Sequence, residues 1–199
     1  MGSGVTALVL AGGQGSRMGG LDKGLQTHAG QSLVAHAVGR LRAQSLPPEA
    51  LLINANRHLE AYQALGLPLV SDRLPDFPGP LAGFLVGMES ARSPWLLTVP
   101  CDSPDFPLDL LERLWQAVQA SSADLAFASA PDESGLLRPQ PVFCLMRCHL
   151  QASLSSFLAQ GGRKIGQWLR EPPHVMVPFD RPGDAQAFRN FNTLDDLIP

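Results

Sequence analysis

The sequence predicts a single α/β domain with a mostly parallel central sheet and helices on both faces. Three observations carry this: short apolar runs that stop at glycine or a polar residue, intervening stretches with one apolar helical face, and regular alternation of the two up to about residue 128.

Val5 to Leu10 (VTALVL) has no polar face and ends at Ala11-Gly12-Gly13, as a buried parallel strand feeding a loop does. Ser32 is a natural N-cap for a helix to about Gln44, with Leu33, Ala37, Val38 and Leu41 on one side; Pro47-Pro48 closes that unit. Leu51 to Ile53 is a second strand, Leu59 to Leu65 a helix and Leu67 to Val70 a third strand. A loop rich in Pro and Gly, Pro75 to Pro80, precedes a helix from Leu81 to Ala91 with Pro80 in its first turn. Trp95 to Val99 is a strand, Leu108 to Ala120 a helix and Leu125 to Ala128 a strand. Beyond Ser129 the alternation loosens. Pro131 to Pro141 reads as a polar loop, Val142 to Leu145 as a strand and Leu150 to Leu158 as a helix. Gly161-Gly162-Arg163-Lys164 opens a helix through Leu169, His174 to Val177 is a strand, and Thr193 caps a last turn.

Bulk properties exclude several classes. A net charge of −3 without any basic run argues against a nucleic-acid-coating surface, so phosphate binding must come from a few placed cations and backbone N–H groups. No apolar stretch approaches the roughly 20 residues of a membrane span, and no basic segment precedes an apolar one as in a secretory leader. Met1-Gly2 with Thr6 matches a myristoylation pattern, but Val5-Thr6 already begins a strand. Three cysteines without paired spacing point to a reducing cytoplasm, and five scattered histidines show no metal spacing.

In a parallel α/β sheet, ligands bind beyond the carboxyl ends of the strands. Here those ends carry Gly12-Gly13, Asn54, Asp72 and Asp102. The first loop, Leu10 to Lys23 (LAGGQGSRMGGLDK), combines glycines that let N–H groups approach an anion with Arg17, which can fork onto two oxygens, and Lys23, a point charge. It is neither a Walker loop, since Lys23 follows Asp22 and precedes Gly24, nor a dinucleotide fingerprint, since Met18 stands where glycine is needed. Asp102, in VPCDSP, fits a Mg²⁺ ligand and a turn cap equally well from local context. Asn54 and Asp72 suit base or ribose contacts, and equally an Asx-turn or helix cap. Cys101 reads as a small packed residue, and Cys144 with Cys148-His149 as core.

These segments together resemble the molybdenum cofactor guanylyltransferase family. The matches are LAGGQGSRMGGLDKGL, NANR from Asn54, Asp72, Pro78 to Gly83 (PGPLAG), Pro100 to Pro104, Gly162-Arg163-Lys164 and Asn192-Thr193, in order over nearly the whole chain. The resemblance implies the Rossmann-like nucleotidyltransferase fold, of the nucleotide-diphospho-sugar transferase type, in which about 1–128 is the nucleotide half and about 129–199 the acceptor half. It implies GTP contacts from Leu10, Ala11, Gly12, Gly13, Lys23, Asn54, Asp72 and Asp102, with Arg17 on the triphosphate and Asp102 holding Mg²⁺. Gln140, Arg163, Lys164 and Asn192 become acceptor contacts, Asn192 also a metal-side ligand. The implied reaction moves GMP from GTP to the terminal phosphate of molybdopterin, in its molybdenum form, with release of pyrophosphate. Arg17, Lys23 and Asp102 carry it. Transient partners would be molybdenum-inserting proteins and molybdoenzyme apoproteins.

Three rivals remain at this point. A cytidylyltransferase making the CMP form and a sugar-1-phosphate nucleotidyltransferase usually read LAAG where this chain has Leu10-Ala11-Gly12-Gly13, and lack Asp22-Lys23-Gly24. A nucleotide-binding regulatory module would bind GTP without turnover.

Overall fold

In the computed structural model, residues 3–11, 21–73, 79–193 and 195–197 are described. The sheet begins with β1 (Val5–Leu10), and a small hairpin of β2 (Thr27–His28) and β3 (Gln31–Ser32) follows. Next come α1 (Leu33–Arg42), β4 (Ala50–Asn54), α2 (Leu59–Gln63), β5 (Leu69–Val70), α3 (Pro80–Ser90) and β6 (Trp95–Pro100). The second half runs α4 (Leu110–Ser121), β7 (Leu125–Pro131), β8 (Leu137–Arg147), α5 (Gln151–Ala159), α6 (Ile165–Trp168), β9 (His174–Pro178) and α7 (Asp184–Ala187).

Seven strands form one sheet in the order β5-β4-β1-β6-β8-β7-β9. Every strand runs parallel to its neighbours except β8, which is antiparallel to β6 and β7. Strand side chains alternate between faces, and that period of two divides the interior into two cores. Val5, Ala7 and Val9 of β1 and Trp95, Leu97 and Val99 of β6 face α1, α2 and α4. Leu8 and Leu96 face the opposite way, against Leu81, Phe84 and Met88 of α3 and Leu154, Phe157 and Leu158 of α5. The expected layers are thus present: a mostly parallel sheet between two sets of helices.

Helix boundaries follow local chemistry. Ser32 caps α1, its hydroxyl accepting Ala35 N–H, and Pro80 opens α3 after Gly79, whose φ of 74° suits glycine. Thr193 does cap a final turn: its N–H and hydroxyl both donate to Asp196, whose own N–H returns to the Thr193 hydroxyl.

The reading of Pro131 to Pro141 as loop needs correction. β7 continues to Pro131 and β8 starts at Leu137, so only a tight turn separates the strands. Asp132 builds that turn, its carboxylate accepting Ser134 and Leu136 N–H at 2.9 and 3.0 Å, with Gly135 at φ +80°. Three prolines and a polar composition masked a hairpin, because β8 shifts register opposite Phe127/Ala128 and there tolerates residues that cannot join a regular ladder.

Candidate active site

The chain leaves β1 for β4 and then β5 on one side, and returns to β6 on the other side of β1. The strand order therefore reverses between β1 and β6, which is where an open α/β sheet forms its ligand crevice. Register places the candidates along that edge. Leu10 is opposite Asn54 in β4 and Pro100 in β6, and Asn54 is opposite Val70 in β5. Asp72 and Asp102 each lie two residues past this line.

Two clusters result. In one, Lys23 Nζ donates to Asp102 Oδ2 at 3.2 Å and to Asn192 Oδ1 at 2.8 Å. The Lys23 and Asp102 side chains are 20% and 24% exposed, enough to meet a ligand and still be held in place. Phe191 N–H donates to the Asp102 carbonyl at 2.7 Å, and Ser103 bonds Asn190, so the C-terminal segment is tied to the β6 exit. Arg113 of α4 anchors that segment further out, pairing with Asp184 at 2.8 Å and lying over Phe179. Asn192 reaches the site because the chain around it is fastened.

In the second cluster, Asn54 Nδ2 donates to Asp72 Oδ1 at 2.9 Å, and Asn56 Nδ2 to Asp72 Oδ2 at 2.8 Å. Asn56 Oδ1 accepts Asp72 N–H at 2.8 Å. Gly83, in the first turn of α3, closes this side: a Cβ there would sit 2.4 Å from Leu10 Cδ2 and 2.8 Å from Asn54 Oδ1. The GPLAG segment thus ends on a glycine that α3 needs to approach the strand ends.

Ala11 is buried at the end of β1, its N–H bonded to the Asn54 carbonyl at 2.8 Å. Gly12, Gly13 and Arg17 lie outside the described residues. Cys101 is packed, and burial first, then the nearby Asp102 charge, push its thiol well above the ordinary range. Among the described residues no three acidic, histidine or cysteine side chains cluster as a metal cage.

Residues 7–175 match the MobA-like NTP transferase domain. A molybdenum cofactor guanylyltransferase from Methylibium petroleiphilum is 52% identical over 97% of this chain and 93% of the relative. Another, from an Acidovorax species, is 51% identical with the same coverage.

The chain belongs to the molybdenum cofactor guanylyltransferase family.

A solved structure of molybdopterin-guanine dinucleotide biosynthesis protein A from Archaeoglobus fulgidus shares the fold, with a TM-score of 0.74 at 20% identity over 96% of this chain and 94% of that one.

Within this guanylyltransferase family member the remaining candidates scatter. Gln140 sits half-buried in β8 opposite Ala128. Arg163 folds back on its own loop, donating to the Leu158 and Gly162 carbonyls at 3.0 and 2.8 Å. Lys164 is exposed at the start of α6. Among the described residues, none of the three bonds to the Lys23–Asp102–Asn192 cluster. Sequence reasoning passed over Asn56, although NANR displayed it, and also Asp22 with Tyr62. The chain's single tyrosine, in a short helix with Leu59 and Ala61, was the available signal, since a tyrosine buried on such a helix needs a partner for its hydroxyl.

Proposed function

We propose that this chain transfers GMP from GTP to the terminal phosphate of molybdopterin, carrying molybdenum, and releases pyrophosphate. The observation that carries the reading is the Lys23–Asp102–Asn192 cluster at the β1/β6 crevice, in a chain of this family. A phosphate nucleophile is already ionised at neutral pH and needs no general base, so the reaction does not call for a histidine at the Lys23–Asp102–Asn192 cluster. The acceptor oxygen bonds to the α-phosphorus as the bond to the pyrophosphate oxygen breaks. Alignment and charge neutralisation then supply the rate.

Lys23 meets the triphosphate as a compact cation, and this reading gives Arg17 a role on the same triphosphate. Leu10 and Ala11, where β1 ends, are nucleotide contacts in this reading, which gives the same role to Gly12 and Gly13. Asn54 and Asp72 present their polar groups on the base and ribose side, braced by Asn56. Gln140, Arg163 and Lys164 lie in the acceptor half.

The donors at the crevice suit Mg²⁺: one partly exposed carboxylate and one amide oxygen, both hard ligands. Asp102 and Asn192 would hold it, and the ion would neutralise charge on the triphosphate. Molybdenum-inserting proteins and molybdoenzyme apoproteins are the natural donors and receivers of acceptor and product, in the cytoplasm.

Mixing the purified chain with GTP and Mg²⁺, with and without molybdopterin, tests the reading. Stoichiometric pyrophosphate release only when the acceptor is present supports it. GTP binding with no release under either condition contradicts it and favours a regulatory module.

A further inference from the structure

Tyr62 is the chain's one tyrosine and is fully buried. Its hydroxyl donates to Asp22 Oδ1 at 2.5 Å, and the same oxygen accepts Gly24 N–H at 3.1 Å. Asp22 is itself only 7% exposed and caps the 3₁₀ turn Lys23–Leu25, while its carbonyl accepts Gln26 Nε2 at 2.9 Å. Burial foremost, and then the bond to Asp22, push the Tyr62 phenol well above its ordinary value, so it remains a donor. The turn is also wedged sterically. A Cβ at Gly24 would lie 2.4 Å from the Tyr62 hydroxyl and 3.3 Å from Ala11 Cβ. The residues on either side of Lys23 are therefore fixed to α2 and to the end of β1, whereas Lys23 itself extends into the crevice. A lysine loses substantial rotamer freedom when its ammonium is localised, and a fixed backbone lessens what remains to be ordered.

We propose that Tyr62 and Asp22 are positioning residues for Lys23: a buried latch behind it that acts on the reaction only by setting where the Lys23 ammonium sits. This rests on the reading of Lys23 as the cation that meets the triphosphate. A pair serving folding alone would act equally whether or not Lys23 were present.

A double-mutant cycle separates these cases. Turnover with GTP, Mg²⁺ and molybdopterin is measured for the unaltered chain, Tyr62→Phe, Lys23→Ala and the double variant, with the thermal midpoint of each. Tyr62→Phe should lower kcat about 10-fold with little change in the KM for GTP, as expected when a catalytic group is slightly misplaced. In the Lys23→Ala background the same change should cost less than about 2-fold, because its target is gone. Asp22→Asn keeps an oxygen acceptor for both donors and should stay within about 3-fold of the unaltered kcat, whereas Asp22→Ala should resemble Tyr62→Phe. Equal losses in both backgrounds, or an unchanged kcat in Tyr62→Phe, would overturn the latch. An unaffected Lys23→Ala single variant would overturn the reading of Lys23 as well, and that variant alone distinguishes the two failures.

Discussion

Lys23 and Asp102 meet at 3.2 Å across 79 residues of chain, bringing the first loop and the β6 exit together where the strand order reverses. Asn192 joins them from 169 residues away. Three segments that share no local structure thus converge on one small polar cluster, and the consequences can be measured.

Asp102→Asn keeps the shape of the side chain and removes its charge. Turnover should fall at least about 100-fold, the scale of removing one preorganised electrostatic group. The thermal midpoint should barely move, because the side chain is already 24% exposed. Near-normal pyrophosphate release would contradict the assignment.

The layers, the crevice and the Asn54 and Asp102 positions were legible because they rest on local signals. VTALVL, LLIN and WLLTVP each end a run of buried apolar residues with a change of chemistry, and parallel strands must deliver those ends to one edge. The β7–β8 hairpin was not legible, since its prolines imitate a loop and only the Asp132 turn and the register shift reconcile them with strands. Arg163 and Lys164 are acceptor contacts by the motif; in the structure Arg163 Nη1 donates to the Leu158 and Gly162 carbonyls and Lys164 is exposed. Which basic residue faces a ligand depends on how a loop closes, and spacing alone does not encode that.

Gly83→Ala places a methyl within 2.4 Å of Leu10 and 2.8 Å of Asn54 Oδ1. Relief requires α3 or Asn54 to move, so stability should fall by about 1–3 kcal/mol and the KM for GTP should rise. Urea unfolding and initial rates would show both. An unchanged midpoint together with an unchanged KM would mean that α3 does not press on the nucleotide side.

Alkaline pH should destabilise the fold. Burial raises the thiols of Cys101, Cys144 and Cys148, the last from its ordinary 9.0 to about 11. The folded chain therefore holds these protons more tightly than the unfolded chain. This stabilisation is fully present below pH 9 and is lost as pH rises through the raised values. The urea midpoint should be level from about pH 7 to 8.5 and decline above pH 9, less steeply in Cys148→Ala. A midpoint constant to pH 11 would contradict the burial of these groups.

The most direct test of the account is the identity of the product. The purified chain should be incubated with Mg²⁺, molybdenum-bearing molybdopterin and each of GTP, CTP and ATP, and the dinucleotides resolved by mass. The account predicts that the guanine dinucleotide predominates and forms in step with pyrophosphate. A cytosine dinucleotide as the main product, or conversion of a sugar-1-phosphate in preference to the pterin, would contradict it.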